Sequence, residues 1–305
     1  PALQRTLERL RVAFQGEFGA FGEEAIHLLW RGAAQPVPKG TFEDVMSAAE
    51  SRDVDYGMLP IESTLVGGLD VAYDLLSLHD ALKIVAEVIV PVHLCLLAVP
   101  GATIKSIRTL ASHPVMLGQC SHFLSRYKHI TPQPAWDTAG AARDVRDSRD
   151  RSRAAAGTRR AAERFELAVL MDHIEDRPDS QMRFLAVARE PATLPDDTPA
   201  RTALLAVFPH EAGALVAALG PMAEANFNIS HLASRPTREP WQYQFFVEFD
   251  RLRAHQVRLE GGGAAPTPRA GPSRRSASRS TGSSRSSPPP CLGRSISSLP
   301  VAASS

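Results

Sequence analysis

Arg183 stands at the head of an apolar run, "RFLAVA", directly after the polar turn "DRPDSQ". A guanidinium there can grip a carboxylate through two parallel hydrogen bonds, or it can be a solvated charge at a strand edge. Its neighbours Met182 and Phe184 have no proton to give, so the triplet offers a cation without a hydroxyl. Ser112 and His113 open the predicted helix "PVMLGQCSHFLSRY", where free backbone N–H groups and a serine hydroxyl suit either an N-cap or a bound carboxylate. Gln119 lies seven residues further on, two helical turns away and hence on the same face, although an isolated helical Gln is usually solvated. Glu62 and Ser63 close the predicted strand "YGMLPIES", at the end where α/β sites collect polar groups, with a surface loop acid as the plainer alternative for Glu62. Thr138 begins the predicted helix of "WDTAGAA" as a cap and a site neighbour. Such groups hold anions and move protons.

Other chemistries find little support. There is no HExxH, P-loop or GxSxG string, and "GEFGAFG" spaces its glycines wrongly for a dinucleotide fingerprint. Ten histidines show no clustered ligand spacing, so no metal is expected. Cys95, Cys120 and Cys291 are far apart and form no CxxC pair, which argues for reduced thiols rather than a disulfide framework.

The elements that must position these residues alternate short apolar runs with amphipathic stretches from about 11 to 190, the pattern of an α/β fold. "RVAFQG" reads as a strand and "GEEAIHLLW" as its helix; "TFEDVMSAAES" reads as a helix capped by Thr41 with Asp44 three residues on. "KIVAEVIVPVHLCLLAV" reads as one long buried strand crossing from a first lobe into a second. The second lobe repeats the alternation with "IRTLASH", "QPAW", "TAGAARDV", "GTRRAAERF" and "LAVLM", and two such lobes enclose a cleft. A linker at 191–200 precedes β-α-β-β strings over 201–260, namely "TALLAVF", "GALVAALGPMAEAN", "NISHLASRP" and "YQFFVEF". The second helix and fourth strand expected of such a module are not evident, and the Gly/Pro/Ser/Arg tract at 261–305 is expected to be disordered.

At 44% hydrophobic and 22% charged, the 305 residues have a soluble globular composition, with no apolar run of transmembrane length and no apolar stretch of a signal peptide in "PALQRTLERLR". This places the protein in the cytoplasm. Six of the 34 basic residues lie in 261–305, where there is no acid, so the rest of the chain sets 28 bases against all 33 acids. A mildly acidic folded part argues against specific nucleic-acid binding.

Longer strings are more specific. "VAFQGEFGAFGEEA", "YGMLPIES", "ASHPVMLGQC", "WDTAGAA" and "MRFLAVARE", in that order and spacing, resemble prephenate dehydratase and the plant arogenate dehydratases, and "GALVAALGPMAEANFNISHLASRP" resembles the ACT domain that follows that catalytic domain. The resemblance implies a two-lobed, periplasmic-binding-protein-like α/β domain with an inter-lobe cleft (11–190), then an α+β ferredoxin-like ACT domain. It implies a monofunctional enzyme that removes water and carbon dioxide from prephenate without a cofactor and is assembled as a homodimer or homotetramer. Glu62, Ser63, Gln119, Met182, Arg183 and Phe184 would be catalytic, and Ser112, His113, Thr138 and Arg183 would bind substrate. Gly213, Ala214, Leu215, Asn228, Ser234, Arg235 and Pro236 would bind phenylalanine as effector. The chain departs from the family in having Met182 for the threonine that orients or protonates the leaving hydroxyl, Ser63 for an asparagine, and Ala233 for a glutamate before Ser234.

Overall fold

Two sheets in the chain share one wiring. The computed structural model describes residues 9–192 and 200–250, and the backbone of 292–300. In the first lobe β1 (Leu10–Gln15), β2 (Ala34–Lys39) and β3 (Tyr56–Ser63) run parallel, and β11 (Gln181–Ala188) lies antiparallel between β3 and β5 (Lys83–Pro91); the two-residue β4 (Gly67–Gly68) pairs antiparallel with the end of β3. The order is therefore β2-β1-β3-β11-β5. In the second lobe β7 (Thr109–Ser112), β8 (Thr131–Pro134) and β9 (Arg153–Gly157) take the places of β1, β2 and β3, with β6 (Cys95–Ala98) antiparallel beside β9 and β10 (Ala168–Met171) outside it. Each lobe receives one strand from the far side of a crossover, and that strand is the antiparallel one. Two segments join the lobes, 92–94 and 172–180.

The expected long strand thus divides: residues 83–91 serve one sheet and 95–98 the other. Thr41 and Asp44 form a reciprocal capping box on α2 (Phe42–Glu50), worth about 1 kcal/mol, as the sequence predicts. The expected helix after Ser112 is instead two short ones, α4 (Pro114–Gly118) and α5 (Ser121–Arg126), broken at Gln119 and Cys120. The remaining helices of the two lobes are α1 (Phe21–Trp30), α3 (Asp70–Leu78), α6 (Thr138–Ser148) and α7 (Arg159–Phe165). No helix among the described residues is long and apolar enough to cross a membrane.

Because successive side chains of a strand face opposite ways, β11 feeds two cores. Phe184, Ala186 and Ala188 join a cluster with Phe14, Met58 and the second lobe, and Met182 packs against it. Leu185 and Val187 join a second cluster with Leu59, Ile61 and Tyr73. That second cluster also takes Ala203, Leu205 and Phe246 from the small C-terminal module, so the module sits on the first lobe's other face. The module consists of β12 (Ala200–Val207), α8 (Ala214–Glu224), β13 (Ile229–Pro236) and β14 (Tyr243–Asp250), and with β15 (Leu292–Pro300) its sheet has the order β13-β14-β12-β15.

Here the structure departs from the reading of 261–305 as wholly disordered, because β15 (Leu292–Pro300) pairs antiparallel with β12 along its length and supplies a fourth strand. An open edge at β12 presents unpaired N–H and C=O groups, which any extended segment can satisfy. The start of the expected second helix at 251–260, most of the linker, the first eight residues and the rest of the tail lie outside the described residues.

Candidate active site

In the second lobe the fold brings two of the expected residues together. Ser112 ends β7, fully buried, and gives its hydroxyl proton to the Ala156 carbonyl at 2.8 Å. Its oxygen lies 3.5 Å from that of Thr138, the first residue of α6. Ser112 is thereby left as an acceptor, and the buried Thr138 is the hydroxyl able to donate. Neither caps a helix: Asp137 caps α6 by accepting from the Gly140 N–H at 2.8 Å, and the His113 ring accepts from Val115 N–H at 3.3 Å ahead of α4. The Asp137 carboxylate and the His113 ring nitrogen take the first-turn donors, which frees both hydroxyls. Gln119 follows α4 as its C-cap rather than sharing a continuous helix with Ser112. Its Nε2 has only the Met116 sulfur at 3.8 Å, and its buried Oε1 has no partner among the described residues. Such an orphan acceptor demands explanation, and a ligand donor is one.

In the first lobe Glu62, Ser63, Met182 and Arg183 meet across β3 and β11. Met182 stands opposite Ser63 and Arg183 opposite Glu62, so two of the three positions that depart from the family pattern form one cross-strand pair. Ser63 is buried and accepts from Leu65 N–H at 3.2 Å, leaving its own proton to give. Arg183 is placed otherwise than the sequence implied. It points away from Met182 and Phe184, since adjacent strand residues face opposite sides, and meets carboxylates of the protein itself: Glu248 of β14 through both Nη atoms (2.8 and 3.3 Å), Glu87 of β5 (3.2 Å) and Glu62 (3.1 Å). Burial alone would lower the Arg183 pKa, but Glu248, then Glu87 and Glu62, hold it above the ordinary value. Arg201 of β12 extends the network to Glu87 at 3.0 Å and to Asp250 at 3.4 Å. A crevice of about 270 Å3 opens beside it, lined by Glu62, Arg183, Arg201, His231 and Glu248.

A larger cavity of about 420 Å3 lies between the lobes, at the C-terminal ends of β1 and β2 and the start of α6. Sequence reasoning passed over its charged lining. The Lys39 side chain has no ion pair or hydrogen bond among the described residues, whereas Arg143 pairs with Glu17. The lobes touch beside it at Gly19, whose carbonyl accepts from the Thr158 hydroxyl at 2.6 Å. Gly19 has φ +94, and a Cβ there would come within 2.7 Å of the Ala161 Cα, so the last Gly of "GEFG" is required twice over. In the same region burial pushes the Glu24 carboxyl up, against the opposing pull of Arg160. No hydrogen bond among the described residues joins the Ser112–Thr138 group to the Ser63–Met182 pair.

The sequence as a whole finds close counterparts. The family profile "Prephenate dehydratase" matches residues 12–192. The chain belongs to the prephenate dehydratase family. Among curated relatives, Arogenate dehydratase 3, chloroplastic, of Arabidopsis thaliana is 35% identical over 80% of this chain and 61% of its own length. The bifunctional chorismate mutase/prephenate dehydratase of Enterobacter agglomerans is 32% identical over 78% and 62%. The chain thus spans about three-fifths of the length of the curated relatives it matches. Among solved structures, prephenate dehydratase in complex with L-Phe from Arthrobacter aurescens has TM-score 0.73 at 27% identity, covering 79% of this chain and 80% of that one. GqqA, titled a novel type of quorum quenching acylase, also has TM-score 0.73, at 32% identity over 79% and 87%.

Within this prephenate dehydratase family member, the residues expected at an effector site lie at three places of the small module. Gly213 precedes α8 with φ +87, and Ala214 and Leu215 start the helix. The Asn228 amide donates to Asp250 at 2.8 Å. Ser234, Arg235 and Pro236 end β13, and Arg235 reaches α3 of the first lobe, 2.6 Å from Asp70 and 2.7 Å from Asp74. The stacked His231 and Tyr73 rings, with Tyr73 Oη 2.8 Å from His231 Nε2, make a second tie between the same elements. The histidines that appear unclustered along the chain do meet in one place: His93, His173 and Glu175 converge where the lobes join.

Proposed function

We propose that the protein catalyses the decarboxylating dehydration of prephenate to phenylpyruvate, a carbon–oxygen lyase reaction of aromatic amino acid synthesis. The observation that carries this reading is the buried Ser112–Thr138 hydroxyl pair, at the family's motif positions, with the unpaired Gln119 Oε1 following α4. The substrate carries two carboxylates. Lys39, the unpaired cation of the inter-lobe cavity, is suited to one of them, and donors at the Thr138 end of that cavity to the other. As the ring C–C bond to carbon dioxide breaks, its electron pair enters the ring and the C–O pair departs with the hydroxyl, which must gain a proton. Met182 cannot give one. Ser63, opposite Met182 with its proton unspent, is the nearest hydroxyl in register and acts as a weaker substitute or orders a water. His113 and Phe184 frame the site by position, without a chemical step.

Arg183 serves the reaction indirectly, holding Glu62 and the small module in place. This module binds phenylalanine as an ACT domain through 213–215, Asn228 and 234–236, in a cytoplasmic homo-oligomer. Support for assembly comes from α8, an apolar helix with no buried residue and with Val216 76% exposed. Arogenate, which differs only by an amino group in the side chain, is the alternative substrate, and a regulatory homologue without turnover is a second reading favoured by Met182. Phenylpyruvate formation by the natural protein and by Met182→Thr, together with calorimetric binding of prephenate, separates them. We expect slow turnover that rises roughly 10²–10⁴-fold with the restored hydroxyl. Binding without turnover in both proteins would sink the enzymatic reading, and faster use of arogenate would reassign the substrate.

A further inference from the structure

Each of the two crossovers between the lobes contributes to one polar knot. Segment 92–94 brings His93, and segment 172–180 brings His173 and Glu175, 80 residues later in the chain. The Nδ1 atoms of both imidazoles face the same carboxylate oxygen, Glu175 Oε1, at 3.2 Å and 2.9 Å. The rings stand edge to face at 78° with centroids 4.8 Å apart. His173 takes φ +53, a left-handed conformation that His tolerates better than most residues. The Glu175 side chain is 1% exposed, while those of His93 and His173 are 47% and 64% exposed.

We propose that His93, His173 and Glu175 bind one divalent cation of the zinc type, which ties the two crossovers together. The donor set, two imidazoles and one carboxylate, is the borderline N/O mixture that such ions prefer over the all-oxygen cages of Ca2+ or Mg2+. The spacing fits: ligand atoms about 2.1 Å from a tetrahedral ion lie about 3.4 Å apart, and the three donor atoms here all fall within 4.8 Å of one another. Small rotations of two exposed rings close the difference. The other oxygen, Glu175 Oε2, accepts the Leu94 N–H at 2.8 Å, the kind of outer bond that fixes a ligating carboxylate. The exposed side of the rings gives an ion its entry path and leaves a fourth position for water. Because the donors come from both crossovers, the bound ion resists the hinge motion that would open the cavity between the lobes.

The test uses the full chain, titrated with Zn2+ by calorimetry and with Co2+ by visible absorption, beside His93→Gln and His173→Gln. Both imidazoles are exposed, so these variants keep the fold, which circular dichroism checks. The natural protein is expected to bind one ion with the intense visible bands of four-coordinate Co2+ and to melt at higher temperature with Zn2+. Each variant is expected to lose affinity by roughly 100-fold or more, beyond the 10–100-fold that loss of an outer partner costs. Absence of stoichiometric binding, or equal binding by both variants, overturns the assignment. Either result is independent of turnover and so of the dehydratase reading.

Discussion

Replacing Arg183 by methionine separates two roles for one guanidinium. The change keeps the length of the side chain and removes its charge, leaving Glu87 and Glu248, each 2% exposed, to find other partners. Arg201 already stands 3.0 Å from Glu87 but 4.0 Å from Glu248, so the unrelieved charge is that of Glu248. Stranding one buried carboxylate in this way costs about 3–5 kcal/mol. With a urea m-value of about 3 kcal/mol/M, the unfolding midpoint falls by roughly 1–1.7 M. Urea titrations followed in parallel by tryptophan fluorescence and circular dichroism give the shift and show whether module and lobes still unfold together. The double variant Arg183→Met/Glu248→Met leaves no stranded charge and recovers most of the loss, giving a coupling energy of about 2 kcal/mol or more. A midpoint shift under about 0.3 M, combined with a tenfold or larger rise in the KM for prephenate, would refute the reasoning. It would mean that the guanidinium leaves its carboxylates to hold substrate.

Gly19→Ala is expected to destabilise by about 2–4 kcal/mol, because the new methyl group meets the Ala161 backbone at 2.7 Å in a left-handed conformation; a thermal melt shows it, and an unchanged midpoint would mean that the lobes yield. Gln119→Met should alter stability by less than about 1 kcal/mol, since it deletes an unpartnered buried oxygen, yet lower kcat/KM at least tenfold; a large stability loss with intact kinetics would show Gln119 to be structural. Burial, reinforced by Asp176 and Glu175, pushes the Cys120 thiol up to about 12, so at pH 8 its thiolate fraction is roughly 10³-fold below that of a free cysteine. Iodoacetamide followed by peptide mass spectrometry should leave Cys120 unlabelled until urea unfolds the chain, and prompt labelling of the native protein contradicts its burial.

Much of the scaffold is legible in the sequence because periodicity marks amphipathic elements: α1, α2, α3, β3, β10 and β11 fall where apolar spacing puts them, and Thr41 with Asp44 announces its own capping box. Strands β2 and β9 leave no such mark. Edge strand β2 carries Pro36 and Pro38, residues that normally argue against a strand, and an edge is where they are tolerated. Central strand β9 is nearly all alanine, a weak strand former, and is held by its neighbours β6 and β7 instead of by its own propensity. The site shows the same division. Motif strings single out Ser112, Thr138 and Glu62 as candidates, but a string treats Met182, Arg183 and Phe184 as one unit while the strand's two-residue period sends Arg183 to the opposite face. A cation read as waiting for substrate thus becomes the link between the first lobe and a carboxylate 65 residues away. The same limit hid His93, His173 and Glu175, because chain spacing reports ligand clusters only when one element supplies them, and here two crossovers do.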